Sequence, residues 1–331
     1  MNTEATKATT HPKVVAVNLN PALDLTGSLP RLQPGAVNLV EQGTLHPAGK
    51  GVNVARVLAE LGAAVTVTGL LGTENQDPFC ELFRQYGIED AFVRVPGASR
   101  INVKLVEADG RVSDINFPGV AVNPDDVAAM EQQLFALAEH HDVFVIAGSL
   151  PVGLSPQTCA GWMAKLKAQG KKVLFDSSHQ ALKAGVGAAP WLVKPNDDEL
   201  AALCGKTLET QDALQAAAEA LHHQDIQNVV VSLGAAGVMW LDESGWLQSQ
   251  PPKMAVVSTV GAGDTLVAGL CWGYLNQWSK EETLRFATAL SALAVTQVGV
   301  GVPDEAVLSQ TLASVRMLNE QPVGQHVNLE G

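Results

Sequence analysis

The stretch that most constrains this chain is Ser258-Thr259-Val260-Gly261-Ala262-Gly263-Asp264, followed by the small apolar run Thr265-Leu266-Val267-Ala268-Gly269-Leu270. The Val and Thr residues before it suit an extended chain, and the residues after Asp264 recur at helical spacing, so a loop is expected to turn directly into a helix. Two glycines at a helix mouth let backbone amides approach a ligand closely, and the positive end of the helix dipole behind them completes an anion site. A carboxylate one residue later would repel a phosphate resting there. It fits a different role, in which Asp264 faces a hydroxyl that loses its proton while attacking that phosphate, with the amides taking up the developing charge. The competing reading is structural, since Asp is a preferred helix N-cap and Gly a common entry. These residues alone leave both open.

A chain of 331 residues can bury a sizeable core in one large domain with a subdomain. Its 47% apolar and 17% charged residues fit a compact globular protein rather than a disordered one. The net charge of -13 argues against nucleic acid or an anionic membrane surface as the main partner. An anionic small substrate would therefore need a local cluster of basic residues. Cys80, Cys159, Cys204 and Cys271 stand far apart, without a Cys-x-x-Cys pair or a His at zinc-ligand spacing, which is simplest as reduced thiols in a cytoplasmic protein. The adjacent pairs His140-His141 and His222-His223 point in different directions on a helix and make a weak metal signal. Residues 1–12 are polar with no apolar signal core and are expected to form a flexible tail, and no stretch approaches the ~18 apolar residues of a membrane span.

Val14 to Asn20 reads as a buried strand ending in Asn20-Pro21-Ala22-Leu23-Asp24, which places Asp24 just past a strand end, where open parallel sheets hold their ligands. A turn-forming Asx residue is the alternative. From 25 to 45 the chain breaks into short pieces interrupted by Pro30, Pro34, Gly35 and Gly43. A similar region covers 91–118, where Arg100 to Glu107 and Arg111 to Phe117 flank the hairpin turn Ala108-Asp109-Gly110. Two such regions can pair in space as one small β-sheet, read here as a discontinuous lid. Between them Pro47-Ala48-Gly49-Lys50-Gly51-Val52-Asn53 opens a helix that runs to Gly62. Gly49 and Gly51 free the backbone, Lys50 supplies charge, and Asn53 offers a donor and an acceptor from the first turn. The spacing is not that of a Walker A loop, so alone it is a weak phosphate or polyol signal.

Beyond the second region strands and helices alternate: Asp142 to Ala147, Lys172 to Asp176, Trp191 to Val193 and Asn228 to Leu233 as strands, with helices at Ser155 to Gln169, Asn196 to Cys204 and Gln211 to His223. Such alternation argues for an α/β fold with a doubly wound, mainly parallel sheet flanked by helices. Gly148-Ser149, Asp176-Ser177-Ser178, Lys194-Pro195-Asn196 and Ser232-Leu233-Gly234-Ala235-Ala236-Gly237 all fall at strand ends. Together with Asp24 and the Gly261 loop they make a ligand crevice the economical explanation. Asn196 and Glu199 share one helix face, as oxygen ligands for a hydrated magnesium or, from spacing alone, more simply as a capping box.

With these pieces collected, the chain resembles the PfkB, or ribokinase-like, carbohydrate kinases from Val14 to about Met317. The resemblance rests on Ala48-Gly49-Lys50-Gly51-Val52-Asn53 and on Val260-Gly261-Ala262-Gly263-Asp264, in that order. It implies one ribokinase-like kinase domain over 13–331 with a small β lid that often mediates dimerisation. It implies that Asp264 deprotonates the acceptor hydroxyl and that the Gly261, Ala262 and Gly263 amides receive the transferring phosphoryl. ATP would lie along Ser232, Gly234 and Gly237, Lys194 and Asn196, and Val260 to Gly263, with Mg2+ held by Asn196 and Glu199, through water. Asp24, Gly49, Lys50 and Asn53 would hold the sugar hydroxyls. The Asn196-to-Glu199 spacing matches the family's magnesium-associated Asn-x-x-Glu motif, which favours the metal role over a simple cap. Many members carry Asp where this chain has Ser258, which leaves monovalent-cation dependence open.

Within the family the phosphosugar kinases are most similar. Arg100, Asn102 and Lys104 alternate along one strand and so share a face, where with Lys50 they form the basic cluster the acidic chain otherwise lacks. A solvated strand edge is the competing explanation. Ser149, in the Gly148-Ser149-Leu150-Pro151 turn, is a further phosphate or sugar contact. Relatives acting on fructose 6-phosphate carry basic residues after the lid glycine, where this chain has Ala36, Val37 and Asn38 after Gly35. The resemblance therefore implies ATP-dependent phosphorylation of the 6-hydroxyl of fructose 1-phosphate by a cytoplasmic homodimer joined through the lid. Tagatose 6-phosphate and fructose 6-phosphate are the alternative acceptors, and a sugar-phosphate sensor without chemistry is the alternative class.

Overall fold

Val14 to Val17 are wholly buried with no polar break, the pattern of a strand covered on both faces. In the computed structural model, which describes residues 12–318, they form the centre of β1 (Lys13–Asn18). The tail expected over 1–12 lies, apart from Pro12, outside the described residues. β2 (Ala22–Leu29) and β3 (Gln42–Ala48) leave the main body and α1 (Lys50–Glu60) returns to it, followed by β4 (Ala64–Gly72), α2 (Asp77–Tyr86), β5 (Glu89–Asp90) and β6 (Val93–Val95). A second excursion is the hairpin of β7 (Arg100–Glu107) and β8 (Val112–Asn116). The alternating part follows as α3 (Pro124–Ala138), β9 (Val143–Ala147), α4 (Pro156–Ala168), β10 (Lys172–Asp176), α5 (His179–Val186) and β11 (Leu192–Val193). It continues with α6 (Asp197–Cys204), α7 (Gln211–His222), β12 (Asn228–Ser232), β13 (Val238–Asp242) and β14 (Gly245–Gln250). The described chain closes with α8 (Ala262–Leu275), α9 (Lys280–Ala294), α10 (Glu305–Ser314) and β15 (Arg316–Leu318).

Eleven strands form one sheet in the order β15-β14-β13-β12-β11-β10-β9-β1-β4-β5, with β6 also on β4. From β5 to β12 the pairings are parallel, and β13 to β15 add an antiparallel edge. Helices cover both faces. Val14 and Ala16 join a core with α1, α8 and α9 residues such as Leu58, Leu270 and Leu290, while Val15 and Val17 join another with Met130, Leu134 and Leu166. The expected doubly wound α/β architecture is thus present. The sheet order reverses direction between β9 and β4 around β1, and open parallel sheets take ligands at the carboxyl ends of strands beside such a reversal.

The two excursions meet in a separate four-stranded sheet ordered β3-β2-β7-β8. β2 runs antiparallel to β3 and parallel to β7, so Asp24 pairs with His46 on one side and Asn102 on the other. Asp24 is the one strand-end residue whose expected setting changes. It lies inside β2 rather than in a turn after β1, because β1 stops at Asn18 and Ala22-Leu23-Asp24 already begins the next strand. The segment before Gly261 also differs from the extended chain expected there. After Gln250 it is irregular up to α8, with Val256 and Val257 exposed. Its backbone is tied down at Val295, whose carbonyl accepts from the Val257 and Ser258 amides at 2.7 and 3.1 Å.

Candidate active site

The loop-to-helix turn forms as the sequence implied, but the cap is Gly261, with φ 84°, and not Asp264. A side chain at Gly261 would strain that backbone and collide with Val300, so glycine is required. Asp264 is the third residue of α8 and only 6% exposed, which removes the helix-cap reading. Its Oδ2 accepts from Asn53 Nδ2 at 2.7 Å, joining the helices that follow the two glycine-rich motifs. Burial pushes the Asp264 carboxyl up to about 6, against Lys50, with Asp176 adding to the rise and the Asn53 bond and Lys194 opposing it. A carboxylate tuned to this range is suited to accept a proton near neutral pH. The Ala262 amide leans on the Thr259 carbonyl at 3.4 Å, whereas no described group accepts from the Gly261 or Gly263 amides. Those two amides, on either side of Ala262, are open donors at the helix mouth.

Behind Asp264 stand two ammonium groups on one carboxylate. Lys50 Nζ lies 3.0 Å and Lys194 Nζ 3.5 Å from Asp176 Oδ1. Burial lowers the Lys50 pKa, but Asp176, Asp264 and Glu199 outweigh it and hold the group above its ordinary value, so it stays charged. The Lys194 ammonium also comes close to Gly263, 3.6 Å from where a side chain there would begin. Gly49, with φ 112°, caps α1, and a side chain there would strike the Asn18 amide. The absence of one lets α1 aim its N-terminus, and Lys50, at the ends of β1 and β10.

The small sheet supplies the opposite wall. Asp24, Asn102 and Lys104 face inward together, with Asn102 Nδ2 donating to Asp24 Oδ1 at 3.0 Å and Lys104 Nζ 3.7 Å from Asp24 Oδ2. Lys104 is also paired with Asp114 at 3.0 Å. Its charge is therefore answered by two carboxylates, unlike the open cation expected from strand alternation. Arg100 is the open one. It is half-buried, its Nε donates to the Asn20 carbonyl at 3.3 Å, and among the described residues no carboxylate lies within hydrogen-bond distance, so burial lowers its pKa with only the more distant Asp24 opposing. The Asn20 amide in turn reaches Ser149 Oγ at 3.1 Å, which brings Ser149 to the same corner. The cleft between the walls is lined by Asp24, His46, Asn53, Arg56, Lys104 and Ser258, with Val260 and Val300 among its apolar groups.

Asn196 and Glu199 form the reciprocal capping box of α6: Asn196 Oδ1 accepts from the Glu199 amide at 2.7 Å and Glu199 Oε2 from the Asn196 amide at 3.0 Å. Ser232 adjoins them, its amide donating to the Pro195 carbonyl at 3.1 Å. Gly234 is exposed in the turn after β12, and Gly237 packs against the Ser249 backbone, which alone calls for glycine there. Asp264, Asn53, Lys50, Lys194, Asn196 and Ser232 thus follow one another along the carboxyl ends of the central strands. Gly234 and Gly237 lie beyond that row.

The profile of the pfkB family of carbohydrate kinases matches residues 13–306, covering both walls of this cleft. The chain belongs to the pfkB family of carbohydrate kinases. Among curated proteins it is 64% identical to the 1-phosphofructokinase of Vibrio cholerae over 292 residues, 88% of this chain and 92% of that one. It is 48% identical to the 1-phosphofructokinase of Escherichia coli K12 over 304 residues, 92% of this chain and 97% of the relative. Among solved structures, the tetrameric inhibited form of phosphofructokinase-2 from Escherichia coli superposes with a TM-score of 0.83 at 30% identity, covering 91% of this chain and 98% of that one. As a pfkB kinase the chain is an enzyme with ATP as its phosphoryl donor.

Asp176 stands out in the sequence only as one of several polar strand ends; the pair of lysines that singles it out is brought to it by the fold alone. His46 and Arg56 were missed. Nothing in their neighbourhoods in sequence marks them, and their place in the cleft comes from strand pairing and the helix face.

Proposed function

We infer that this kinase transfers the γ-phosphoryl group of ATP to the 6-hydroxyl of fructose 1-phosphate, giving fructose 1,6-bisphosphate and ADP, the 1-phosphofructokinase reaction. The observation that carries the chemistry is Asp264, a buried carboxyl raised to about 6 and held by Asn53 one turn from two open backbone amides. The named 1-phosphofructokinase relatives support the choice of acceptor.

In this reading the acceptor lies in the cleft with its reacting hydroxyl at Asp264, which takes the proton as the oxygen attacks. The Gly261 and Gly263 amides and the dipole of α8 receive the phosphoryl group, and the Ala262 amide is the third donor of the turn. Lys50 and Lys194, both fixed by Asp176, stabilise negative charge building between the substrates. Asp24, Asn102, Asn53 and the Gly49 backbone hold sugar hydroxyls. Arg100 takes the 1-phosphate with Ser149 beside it, since, unlike Lys104, it has no carboxylate within hydrogen-bond distance among the described residues. Lys104, shared between Asp24 and Asp114, orients Asp24 first and adds charge second. ATP runs from the Val260 turn past Lys194 and Asn196 toward Ser232, Gly234 and Gly237.

The oxygens at Asn196 and Glu199 suit a hard cation; the capping box engages the single side-chain oxygen of Asn196 and one of the two of Glu199, leaving Glu199 Oε1 for water on the ion. No group of three His, Cys, Asp or Glu among the described residues is placed to hold a metal directly, which fits a hydrated Mg2+ held through water and bound mainly by the nucleotide. Bound there, the ion would neutralise phosphate charge.

The four-stranded sheet acts as the lid, and Leu25, Leu45, Ile101 and Ile115 on its outer face are all exposed. A second copy covering that face gives a homodimer. Four free cysteines, two of them buried, support a cytoplasmic location. Among the described residues, no helix is long and apolar enough to cross a membrane.

The test is a coupled ADP-release assay with ATP and magnesium, comparing fructose 1-phosphate, fructose 6-phosphate, tagatose 6-phosphate and fructose. The expected result is the highest kcat/KM for fructose 1-phosphate. A preference for either 6-phosphate would reassign the acceptor, and no turnover with any sugar would leave a sensor.

A further inference from the structure

His46 sits on β3 directly opposite Asp24 on β2, on the face turned toward the α/β body. It lines the cleft with Asp24, Asn53, Arg56 and Lys104, and it is half-buried. Among the described residues its ring makes no hydrogen bond, while the charged groups beside it, Arg56 and Asp24, are engaged. Arg56 donates to Glu60 at 3.0 Å and stacks 5.0 Å from the Tyr86 ring centre. Asp24 is met by Asn102 and Lys104, one on each oxygen. A half-buried imidazole with no protein partner on either ring nitrogen, facing a polar cleft, has both nitrogens to offer a ligand.

The chemistry of the ring identifies what completes it. Asp24 only accepts hydrogen bonds and Lys104 only donates, whereas a sugar hydroxyl does both. A neutral imidazole also offers one donor and one acceptor. Burial lowers the His46 pKa; Asp24 opposes this, and Arg56 and Lys104 reinforce it, so the ring is neutral around pH 7. A neutral ring is a poor counter-ion for phosphate and a good partner for a hydroxyl.

We propose that His46 is a further acceptor-binding residue, which donates to and accepts from hydroxyls of the bound phosphosugar beside Asp24 and so helps to select the acceptor. This rests on the phosphosugar-kinase reading above. It gives the cleft a side chain that senses the arrangement of ring hydroxyls, separately from Arg100, which senses phosphate.

The experiment compares wild-type enzyme with His46→Ala and His46→Gln. KM for fructose 1-phosphate is measured at saturating ATP and magnesium, KM for ATP at saturating sugar, and binding of fructose 1-phosphate alone by titration calorimetry. A lost hydrogen bond of about 1–1.5 kcal/mol corresponds to a rise of roughly tenfold. The expected result is that rise in sugar KM and Kd for His46→Ala, with kcat and the ATP KM held within about threefold. Glutamine, which also donates and accepts, restores part of the affinity. A wild-type enzyme that turns over fructose 1-phosphate while both variants keep its sugar KM and Kd within about twofold overturns the role of His46 alone. So does a parallel rise in both KM values, which marks general damage. A wild-type enzyme that neither binds nor phosphorylates any of the phosphosugars overturns the functional reading and this inference with it.

Discussion

The Lys50 ammonium and the Asp176 carboxylate meet at 3.0 Å although 126 positions separate them in the chain. Their bond ties the start of α1 to the carboxyl end of β10, and the same Asp176 oxygen faces Lys194. The other oxygen, Oδ2, is buried without a hydrogen-bond partner. Asp176 thereby sets where both cations stand relative to Asp264.

Replacing Asp176 by Asn keeps its shape and removes the charge that answers Lys50 and Lys194. Lys50 is about a third exposed, with 36% of its side chain in solvent, so solvent screens part of the loss. We expect a destabilisation of about 1–3 kcal/mol, read from urea unfolding, together with a lower kcat. An unchanged unfolding midpoint would show that the triad contributes nothing to the fold.

Asp264→Asn removes the proton acceptor while keeping the side-chain volume. Turnover should fall by about three orders of magnitude, with the Kd for ATP within about threefold of wild type. Retention of most of the turnover would take Asp264 out of the base role.

The same residue predicts a pH dependence of stability with a definite sign. Its folded pKa of about 6 lies above the ordinary carboxylate value, so the protonated form is the one the fold favours. Its contribution is complete below the unfolded value near 4 and is lost as pH rises through about 6. Asp264→Asn, neutral throughout, should therefore be more stable than wild type at pH 8 by up to about 3 kcal/mol, and the gain should vanish near pH 4. A difference that does not change between those two pH values contradicts the burial of a charged Asp264. Turnover of the wild type should decline below about pH 6 for the same reason.

Arg100 and Lys104 should separate in kinetics. Arg100→Ala is expected to raise the KM for the phosphosugar by roughly tenfold to a hundredfold and to narrow the preference for phosphorylated over free fructose, because it removes a charge-assisted bond to phosphate. Lys104→Ala should cost less in that preference, since its charge is already balanced by Asp24 and Asp114. Equal losses in both variants would return Lys104 to the phosphate site.

The α6 capping box can be taken apart in two ways. Asn196→Ala should cost about 1 kcal/mol of stability through the lost cap. Glu199→Gln keeps a capping side chain and removes the charge, so it should leave stability nearly unchanged while raising the magnesium concentration needed for half-maximal rate several-fold. The reading of Glu199 as a metal-associated group fails if that concentration stays at the wild-type level.

The parts of this molecule that local chemistry dictates could be read from the chain. The Asp109-Gly110 turn, the unbroken apolar runs at β1 and β9 and the glycines before α8 all act over a few residues, and each produced the element it implied. The sequence also placed Asp24, Asn53, Arg100 and Asp264 among candidate site residues before their neighbours were known. It could not show that Lys104 would be shared by two carboxylates or that Asp264 would be inside the helix and not at its cap. Those outcomes depend on the β7–β8 register and on which residue adopts positive φ, and both are decided by packing. Asp176, His46 and Arg56 escaped for the same reason: their partners come from distant segments.

The two excursions that form the small sheet carry Asp24, His46, Asn102 and Lys104, while Asp264, Lys194, Asn196 and the open amides belong to the α/β body. In the proposed reading the small sheet's share of acceptor recognition and the handling of the nucleotide are therefore written in separate stretches of the gene, with Gly49, Asn53 and Ser149 adding acceptor contacts from the body. Drift in the first can retune which sugar is taken without disturbing the chemistry of the second, and a transplant of residues 22–48 and 100–116 between relatives would carry a taste for an acceptor with it.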